Sequence, residues 1–279
     1  MKADCHMHMV LDGVDWKQAI ARHTIAPDET FIHKTLKTYA DLGYTYLRDG
    51  GDRWGVGAKA RELAPEYGIT YRTPLAPLCK AGHYGSFIGE TYENLTEYAA
   101  LVVKTRKNGG NFIKIMISGL MDFDRFGVLT EEGLTQEEIA QLIHIAHEEG
   151  MSVMAHANGK TALYAAQAMV DSVEHGAYLD AETLHAMAEN GTVWVPTLST
   201  VGNLRGKGRF SEKDVEKILE SALMNVECFH QMGGFLASGT DAGAWAVPHG
   251  STTEEGYFAM AGVRDSALSR GLSVIQAKF

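Results

Sequence analysis

Short apolar runs alternate with amphipathic stretches along most of the chain. Eight of these runs are rich in β-branched and aromatic residues. Several lack the period-two alternation of a half-exposed strand, which is typical of strands covered on both faces. The runs predicted as strands are residues 3–10, 44–48, 69–77, 111–117, 151–157, 171–175, 192–198 and 235–240. Eight strands alternating with helices predict an α/β fold, a closed parallel (β/α)8 barrel of the TIM type.

The stretches between these strands carry helix-start signals. Thr135 followed by Glu138 is a capping-box pattern ahead of apolar residues at helical spacing, and Gly150 marks the predicted end of that helix. Asp180 and Ser211 are predicted to cap two further helices. No Pro- or Ser-rich linker divides the sequence. We therefore expect residues 1–279 to form a single domain.

Composition disfavours several kinds of partner. The 279 residues contain 25 Lys and Arg against 35 Asp and Glu, a formal charge of −10. Since the cations are not clustered, neither nucleic acid nor a membrane surface is an expected partner. No apolar run reaches the length of a membrane span, and the N-terminus lacks an apolar signal segment. Three cysteines without a CxxC spacing indicate a reducing compartment, so we expect a cytoplasmic protein and leave a homo-oligomer open.

The first predicted strand contains a His-x-His pair, His6 and His8. Side chains two residues apart in a strand point to the same face, so both imidazoles can reach one metal ion. The alternative is a pair of hydrogen-bonded histidines at a polar strand end. The pair alone does not decide between them.

Three further candidates stand at the carboxyl ends of later strands. His156 closes the fifth predicted strand, His175 closes the sixth, and Asp241 follows the eighth. Barrels of this type place their active sites at that end of the strands. Four histidines and a carboxylate converging on one rim favour a metal site over locally satisfied loop residues.

Lys114 lies in the middle of the apolar run 112–117. A buried, unpaired ammonium is strongly unfavourable, so burial lowers the pKa of such an amine. A neutral amine can react with carbon dioxide, and the resulting carbamate can bridge two cations. The alternative is a lysine whose stem is buried and whose head reaches water.

This ordered set resembles the binuclear form of the amidohydrolase superfamily. The resemblance covers essentially the whole chain. Within the superfamily, residues 112–116 with Ser118 and Gly119, and residues 172–176, resemble the prolidase-like branch of Xaa-Pro and Xaa-basic dipeptidases. Aryl-carbamate and organophosphate hydrolases share much of that local pattern.

The resemblance implies a metal centre with two divalent ions. It assigns His6, His8 and Asp241 to the more buried ion, and His156 and His175 to the more exposed one. Carbamylated Lys114 and a hydroxide would bridge the two ions. Asp241 would act as general base and acid. Zinc is the expected metal, with Mn²⁺, Fe²⁺ and Co²⁺ as alternatives. Many members carry a β-sandwich side domain, which we do not expect in this chain.

Residues 80–85 (KAGHYG) resemble a Gly-Gly-His-Gly loop of the prolidase-like branch, with Ala81 in place of the first glycine and Tyr84 inserted. We expect His83 to act as a catalytic or substrate-binding residue and Tyr84 to bind substrate. The alternative for His83 is an exposed loop histidine. Arg48 and Asp49 are expected to form an ion pair that supports the rim.

The resulting hypothesis is a metal-dependent hydrolase that cleaves the amide bond of a small molecule, such as a dipeptide or N-acyl amino acid. One alternative is a lactonase or an aryl ester, carbamate or phosphotriester hydrolase with the same site. An alternative of another class is a non-catalytic metal-binding barrel. A substrate carboxylate would need a cation near the rim. The candidates, which otherwise only solvate loops, are Arg48, Arg53, Lys80, Arg205, Lys207 and Arg209.

Overall fold

Parallel strands separated by helices make up the protein, as seen in a computed structural model that describes residues 2–279. Its ten strands are β1 (Lys2–Met7), β2 (Tyr44–Asp49), β3 (Thr70–Arg72), β4 (Leu78–Lys80), β5 (Glu90–Tyr92), β6 (Ile113–Met116), β7 (Val153–Ala157), β8 (Ser172–His175), β9 (Val193–Val195) and β10 (Phe235–Leu236). The α-helices are α1 (Trp16–His23), α2 (Glu29–Asp41), α3 (Val56–Leu63), α4 (Leu95–Lys107), α5 (Gln136–Glu148), α6 (Lys160–Gln167), α7 (Ala181–Glu189), α8 (Ser199–Gly202), α9 (Glu212–Gln231), α10 (Thr253–Met260) and α11 (Asp265–Lys278). A 3₁₀ turn spans Ala64–Tyr67.

The strands form two parallel sheets, ordered β1-β2-β3 and β10-β9-β8-β7-β6-β4-β5. Every predicted strand region contains a strand, and the fold is α/β as predicted. The third region differs, because only Thr70–Arg72 of residues 69–77 is extended into a ladder. Pro74 and Pro77 lack the N–H that a ladder needs, and Leu75 between them has a φ of 66°. The chain resumes pairing in β4 and β5, two short strands that the hydrophobic pattern did not predict.

Main-chain hydrogen bonds link the two sheets at both edges of the smaller one. On one side, the Cys5 N–H donates to Ser238 O (2.8 Å) and the Asp241 N–H donates to His6 O (2.7 Å). On the other side, the Asn111 N–H donates to Thr73 O (2.9 Å). These bonds place the segment that ends at Asp241 directly beside the His-x-His strand.

One apolar cluster contains residues from both sheets. Cys5 and Tyr46 of the smaller sheet pack with Met154 and Val195 of the larger sheet and with the C-terminal helix α11. From α11, Ile275 is fully buried in this cluster. The packing gives the two sheets a shared interior that α11 covers.

The predicted helix starts are confirmed. Thr135 and Glu138 form a reciprocal capping box at the start of α5. The Asp180 carboxylate caps α7, and the Ser211 hydroxyl caps α9. No helix within residues 2–279 combines the length and the apolar character that crossing a bilayer requires.

Candidate active site

The six predicted ligands come together where the strands end. They lie on β1, β6, β7 and β8, directly after β1 in the case of His8, and after β10, so both sheets contribute. Five of them line the floor of a cavity of about 700 Å³, and His6 lies beneath them, fully buried. The floor residues are His8, Lys114, His156, His175 and Asp241.

Asp241 is the centre of the first group of ligand atoms. Its Oδ1 lies 3.5 Å from His6 Nε2 and 3.4 Å from His8 Nε2, and the two imidazole nitrogens are 3.4 Å apart. Its Oδ2 lies 4.0 Å from His175 Nδ1. The ligand atoms of His6, His175 and Asp241 all lie within 4.8 Å of one another, a spacing that one ion could span.

His156 and His175 form the second group. Their ring centroids are 4.6 Å apart. His156 Nε2 lies 3.2 Å from Gly119 O and 3.5 Å from Asn158 Nδ2, and His175 Nδ1 lies 2.7 Å from Thr197 Oγ1. Neighbouring strands thus hold the two imidazoles, and the ring centroid of His175 lies 4.9 Å from that of His6 in the first group.

Burial keeps all four imidazoles neutral. Desolvation, with the charge of Lys114 next in size, lowers the pKa of His8 to about 3 and that of His156 to about 3. The pKa values of His6 and His175 fall well below the usual range, again mainly because of burial. Neutral imidazole is the form that binds a metal ion, so the donor set fits a cation.

Lys114 is a ligand candidate whose single polar side-chain atom has no polar partner. Its side chain is 1% exposed, and Nζ forms no hydrogen bond within residues 2–279. Burial lowers its pKa, although the carboxylates of Glu174 and Asp241 oppose the shift. An orphaned buried amine facing a carboxylate and imidazoles is costly unless another group completes the site.

Glu174 holds His6 in place from behind. His6 Nδ1 donates to Glu174 Oε2 at 2.7 Å, which leaves Nε2 as the acceptor that faces the cavity. Glu174 Oε1 accepts from Arg48 Nη2 at 2.8 Å and from Ser172 Oγ at 2.6 Å. Arg48 also donates from Nε to Cys5 O. A fully buried, charged network therefore orients this imidazole.

The prediction of an ion pair between Arg48 and Asp49 is wrong. Neighbouring residues on a strand point to opposite faces, so Arg48 turns to Glu174 across the interior. Asp49 instead accepts from the Met9 N–H and from Thr73 Oγ1.

Asp4 ties the His-x-His strand to the segment that carries Asp241. Its carboxylate accepts from the His6 N–H, the Thr240 N–H and Thr240 Oγ1. Burial raises the pKa of Asp4 to about 6, opposed by these hydrogen bonds. The bonds fix the relative position of the ligands on either side of the junction.

Three consecutive strands of the larger sheet lead into left-handed backbone at the site. His175, Thr197 and Asp241 have φ values of 67°, 49° and 56°. Such a conformation costs a residue other than glycine roughly 1–3 kcal/mol and is concentrated at functional sites. The strained residues are therefore the ligand candidates His175 and Asp241, together with Thr197, whose hydroxyl contacts His175.

Comparison with known proteins agrees with this geometry. The model of the amidohydrolase family matches residues 55–275. An uncharacterized protein of Mycobacterium tuberculosis is 32% identical over 91% of this chain and 65% of its own length. The chain belongs to the amidohydrolase family. That confirms the membership predicted from the ligand pattern.

Two of the proteins that this amidohydrolase resembles illustrate the range of named activities. Ochratoxinase of Aspergillus niger is 27% identical over 92% of this chain, and the match spans 59% of the ochratoxinase. The crystal structure of an Xaa-Pro dipeptidase with bound methionine superposes with a TM-score of 0.77 at 22% identity, covering 99% of this chain and 75% of the other. At 22% identity, the similarity to this dipeptidase is a similarity of fold.

The two residues predicted in the loop after the third strand are placed differently. Tyr84 lines the cavity, with its ring centroid 5.0 Å from that of His156. His83 is half-buried outside the cavity lining, and its Nδ1 lies 3.6 Å from Glu131 Oε1. Glu131 Oε1 also accepts from the Tyr84 N–H. The loop therefore presents Tyr84 to the cavity and His83 to Glu131.

Sequence reasoning missed the residues that support the ligands. Arg48 and Glu174 are charged residues within predicted strands, as Lys114 is, and that position is the signal that could have found them. Asn158 follows His156 by two residues on one face, and its Nδ2 donates to Gly119 O. Asp4 precedes His6 by two residues, so the His-x-His pair extends to Asp-x-His-x-His.

Proposed function

We propose that this amidohydrolase is a metal-dependent hydrolase that cleaves the amide bond of a small substrate, a dipeptide or an N-acyl amino acid. The observation that carries the proposal is the cavity floor, where neutral imidazoles and a carboxylate surround an unpartnered buried lysine. The name of the Xaa-Pro dipeptidase, a protein of the same fold, supports an amide of dipeptide size.

The donor set divides between two cations. His6, His8 and Asp241 would hold the more buried ion, and His156 and His175 the more exposed one, with Lys114 as a carbamate between them. Zinc suits the imidazole-rich set, and Mn²⁺, Fe²⁺ and Co²⁺ are alternatives. When bound, such ions ionise water near neutral pH and polarise a carbonyl oxygen.

The protein's own groups position the reaction and move its proton. Asp241 is the carboxylate that faces both the imidazoles and the open cavity, so it would accept the proton of the attacking water and return it to the leaving amine. Glu174 holds the His6 ring, and Thr197 contacts His175 Nδ1. Tyr84 closes one side of the cavity above His156.

The proposal includes a single closed (β/α)8 barrel over residues 1–279. The hydrogen bonds of Cys5 with Ser238 and of Asn111 with Thr73 support it. So does the interior cluster that both sheets share. A barrel would bring ligands from non-adjacent strands to one rim.

Metal content is the direct test. Protein prepared with zinc or manganese and bicarbonate should hold about two ions per chain by elemental analysis, because six donors exceed what one ion needs. Lys114→Ala should lose one ion and nearly all hydrolysis. Lys217→Ala, which removes an exposed lysine of α9, is the control and should retain both.

Each other outcome contradicts a specific part of the proposal. One ion or fewer per chain contradicts the two-metal centre, and unchanged metal content in Lys114→Ala makes the lysine structural. Two ions without turnover of any amide, ester or lactone identify a non-catalytic metal-binding barrel. A strong preference for neutral lactones, aryl esters or phosphotriesters identifies the other hydrolase class.

A further inference from the structure

The turn between β9 and the short helix α8 has a strained backbone at Thr197. This residue is fully buried, and its φ of 49° is a left-handed conformation that is rare for a β-branched residue. Its carbonyl oxygen accepts from the N–H and from the hydroxyl of Thr200. Strained backbone of this kind persists only where the surrounding structure holds it. The turn therefore depends on contacts from other elements.

Glu254 of α10 supplies such contacts. Its Oε1 accepts from the Leu198 N–H at 2.9 Å, and its Oε2 accepts from the Ser199 N–H at 2.7 Å. One carboxylate thus binds the two main-chain N–H groups that directly follow Thr197. Beside it, Thr253 Oγ1 lies 3.0 Å from Ser199 Oγ. Two consecutive residues of α10 therefore hold the turn in place.

Holding the turn with a buried carboxylate is costly. Glu254 is 1% exposed, and within residues 2–279 it forms no ion pair. Burial raises its pKa to about 7, with the hydrogen bonds from Ser199 and Leu198 opposing the shift. A serine, threonine or aspartate within the turn could cap a one-turn helix without burying a charge from a distant segment. The arrangement favours a role for a fixed Thr197 over helix capping alone.

The Thr197 hydroxyl contacts the candidate ligand His175. Thr197 Oγ1 lies 2.7 Å from His175 Nδ1. The backbone of His175 is held as well, because Trp194 Nε1 donates to His175 O at 3.0 Å. A neutral imidazole carries one proton. If the hydroxyl accepts that proton from Nδ1, then Nε2 is free to bind a cation, whereas a proton on Nε2 would block it.

We propose that Glu254 is a positioning residue for His175 and acts through the Thr197 hydroxyl. Because Glu254 holds the turn after β9, Thr197 Oγ1 stays where it accepts the Nδ1 proton, and Nε2 remains the nitrogen for the more exposed cation. The assignment to that cation rests on the proposed function. The position of the proton does not, because it is a property of the metal-free protein.

The first measurement locates the His175 proton in the metal-free protein. The ¹⁵N chemical shifts of an imidazole distinguish a proton on Nδ1 from one on Nε2, and His175→Gln identifies the signals of this ring. We expect the proton on Nδ1 in the wild type. Thr197→Val keeps the branched shape but removes the hydroxyl, so the proton should move toward Nε2. Thr197→Ser keeps the hydroxyl and should retain the wild-type signals.

Variants of Glu254 test the more distant contact. Glu254→Gln replaces one acceptor oxygen with an NH₂ donor that faces a main-chain N–H, so it should move the His175 proton in the same direction as Thr197→Val. Glu254→Asp keeps the charge but is one methylene too short to bind both N–H groups, and it should have the same effect if the glutamine variant folds poorly. Glu255→Gln, at the exposed next position of α10, is the matched control and should resemble the wild type.

The second measurement is a titration of the metal-free protein with Co²⁺ in competition with a chelator of known affinity. One of the two binding affinities should fall by about tenfold or more in Thr197→Val and in Glu254→Gln, because His175 would serve only the more exposed ion. The other affinity should change little. Thr197→Ser and Glu255→Gln should bind both ions like the wild type.

Each contrary result removes a defined part of the inference. A wild-type proton on Nε2 overturns the role of the hydroxyl. Signals that respond to Thr197→Val but to neither Glu254 variant overturn the role of Glu254. Loss of both metal affinities by the same factor, with the His175 signals unchanged, makes Glu254 a structural residue. A His175 proton that moves as expected in a protein that binds no cobalt, or that hydrolyses no amide, overturns the proposed function and leaves the positioning of His175 standing.

Discussion

Fully buried charged side chains on the strands are the distinctive feature of this protein at the scale of single residues. Arg48, Lys114 and Glu174 are each buried to within 1% of full burial. Arg48 and Glu174 compensate each other through a hydrogen-bonded pair, whereas Lys114 has no partner atom within residues 2–279. Burying a charge without compensation is strongly unfavourable. The paired charges therefore support the site, and the unpaired one is the group that the proposed chemistry would use.

Glu174→Gln tests the support behind His6. Glutamine keeps the size of the side chain but removes the charge that faces Arg48 and the charged acceptor of His6 Nδ1. We expect affinity for the more buried metal to fall by about 10- to 100-fold. The variant should also lose roughly 3–5 kcal/mol of unfolding free energy, because Arg48 is left uncompensated.

Competition with a chelator of known affinity measures the first effect, and denaturant unfolding measures the second. Glu220→Gln, at an exposed position of α9, is the control for the change of residue type. Unchanged metal affinity in Glu174→Gln would show that the His6 ring needs no charged partner.

Asp241→Asn tests the proton transfer. Asparagine keeps the size of the side chain but cannot accept the proton of the attacking water. Turnover should fall by roughly two to four orders of magnitude. Metal content must be measured on the same preparation, and circular dichroism checks the fold. Asp265→Asn, at the exposed start of α11, should leave turnover unchanged. If Asp241→Asn keeps its metals and its activity stays within tenfold, another group moves the proton.

At the scale of elements, Asp171 joins the start of β8 to three other segments. Its carboxylate accepts from the Val153 N–H of β7, and it lies 2.9 Å from His147 Nε2 of α5 and 3.0 Å from Lys278 Nζ of α11. Burial tends to raise the pKa of Asp171, but these partners outweigh it and the pKa is lowered. The junction lies beneath the strand that carries His156, so it supports the site from the opposite end.

Asp171→Asn should therefore destabilise the protein in a pH-dependent way. A carboxyl group whose pKa is lower in the folded than in the unfolded state stabilises the fold at pH values above its unfolded pKa. This contribution to the unfolding free energy is lost as the pH falls through the folded pKa. We expect a loss of roughly 1–3 kcal/mol at pH 7 that shrinks toward pH 3. Urea unfolding at pH 7, 5 and 3 measures it, with the exposed Asp41→Asn as control. A loss that is the same at all three pH values would contradict the charged role.

At the scale of the whole molecule, the candidate ligands come from both sheets and span almost the entire sequence, from His6 to Asp241. The proposed metal centre would therefore link β1 to the strands of the larger sheet. Ligand that binds only the folded state stabilises it by mass action, by about 2.7 kcal/mol at one hundred times the dissociation constant.

Chelation should accordingly lower the melting temperature. We expect metal-loaded protein to melt at least about 5 °C above chelated protein. Lys114→Ala should show a smaller difference, because it retains fewer ions. Differential scanning calorimetry with matched buffers measures both. A melting temperature that does not respond to zinc, manganese or chelator would contradict binding at the junction of the sheets.

Much of this molecule follows from local pattern. The hydrophobic runs located all eight predicted strands, because burial on both faces of a parallel sheet imposes the composition of each run independently of its neighbours. The caps at Thr135, Asp180 and Ser211 were equally predictable, since a cap is satisfied within its own first turn. The convergence of the six candidate ligands followed from one rule, that parallel strands present their carboxyl ends at one edge. Their role as metal ligands stays a prediction.

The tertiary structure determines which residues that are distant in the sequence pair with each other. Arg48 forms its ion pair with Glu174 and not with Asp49, because the ion pair depends on which side chains share the interior. The third predicted strand was cut short at Pro74, and two unpredicted strands paired beyond it. Aromatic residues that line the cavity, such as Trp16, Phe123 and Trp245, come from distant segments and form no pattern along the chain. The sequence by itself determined which elements form and which end of them carries the polar groups. Only the packed fold determined which groups meet, because proximity across a fold is set by packing that no local periodicity encodes.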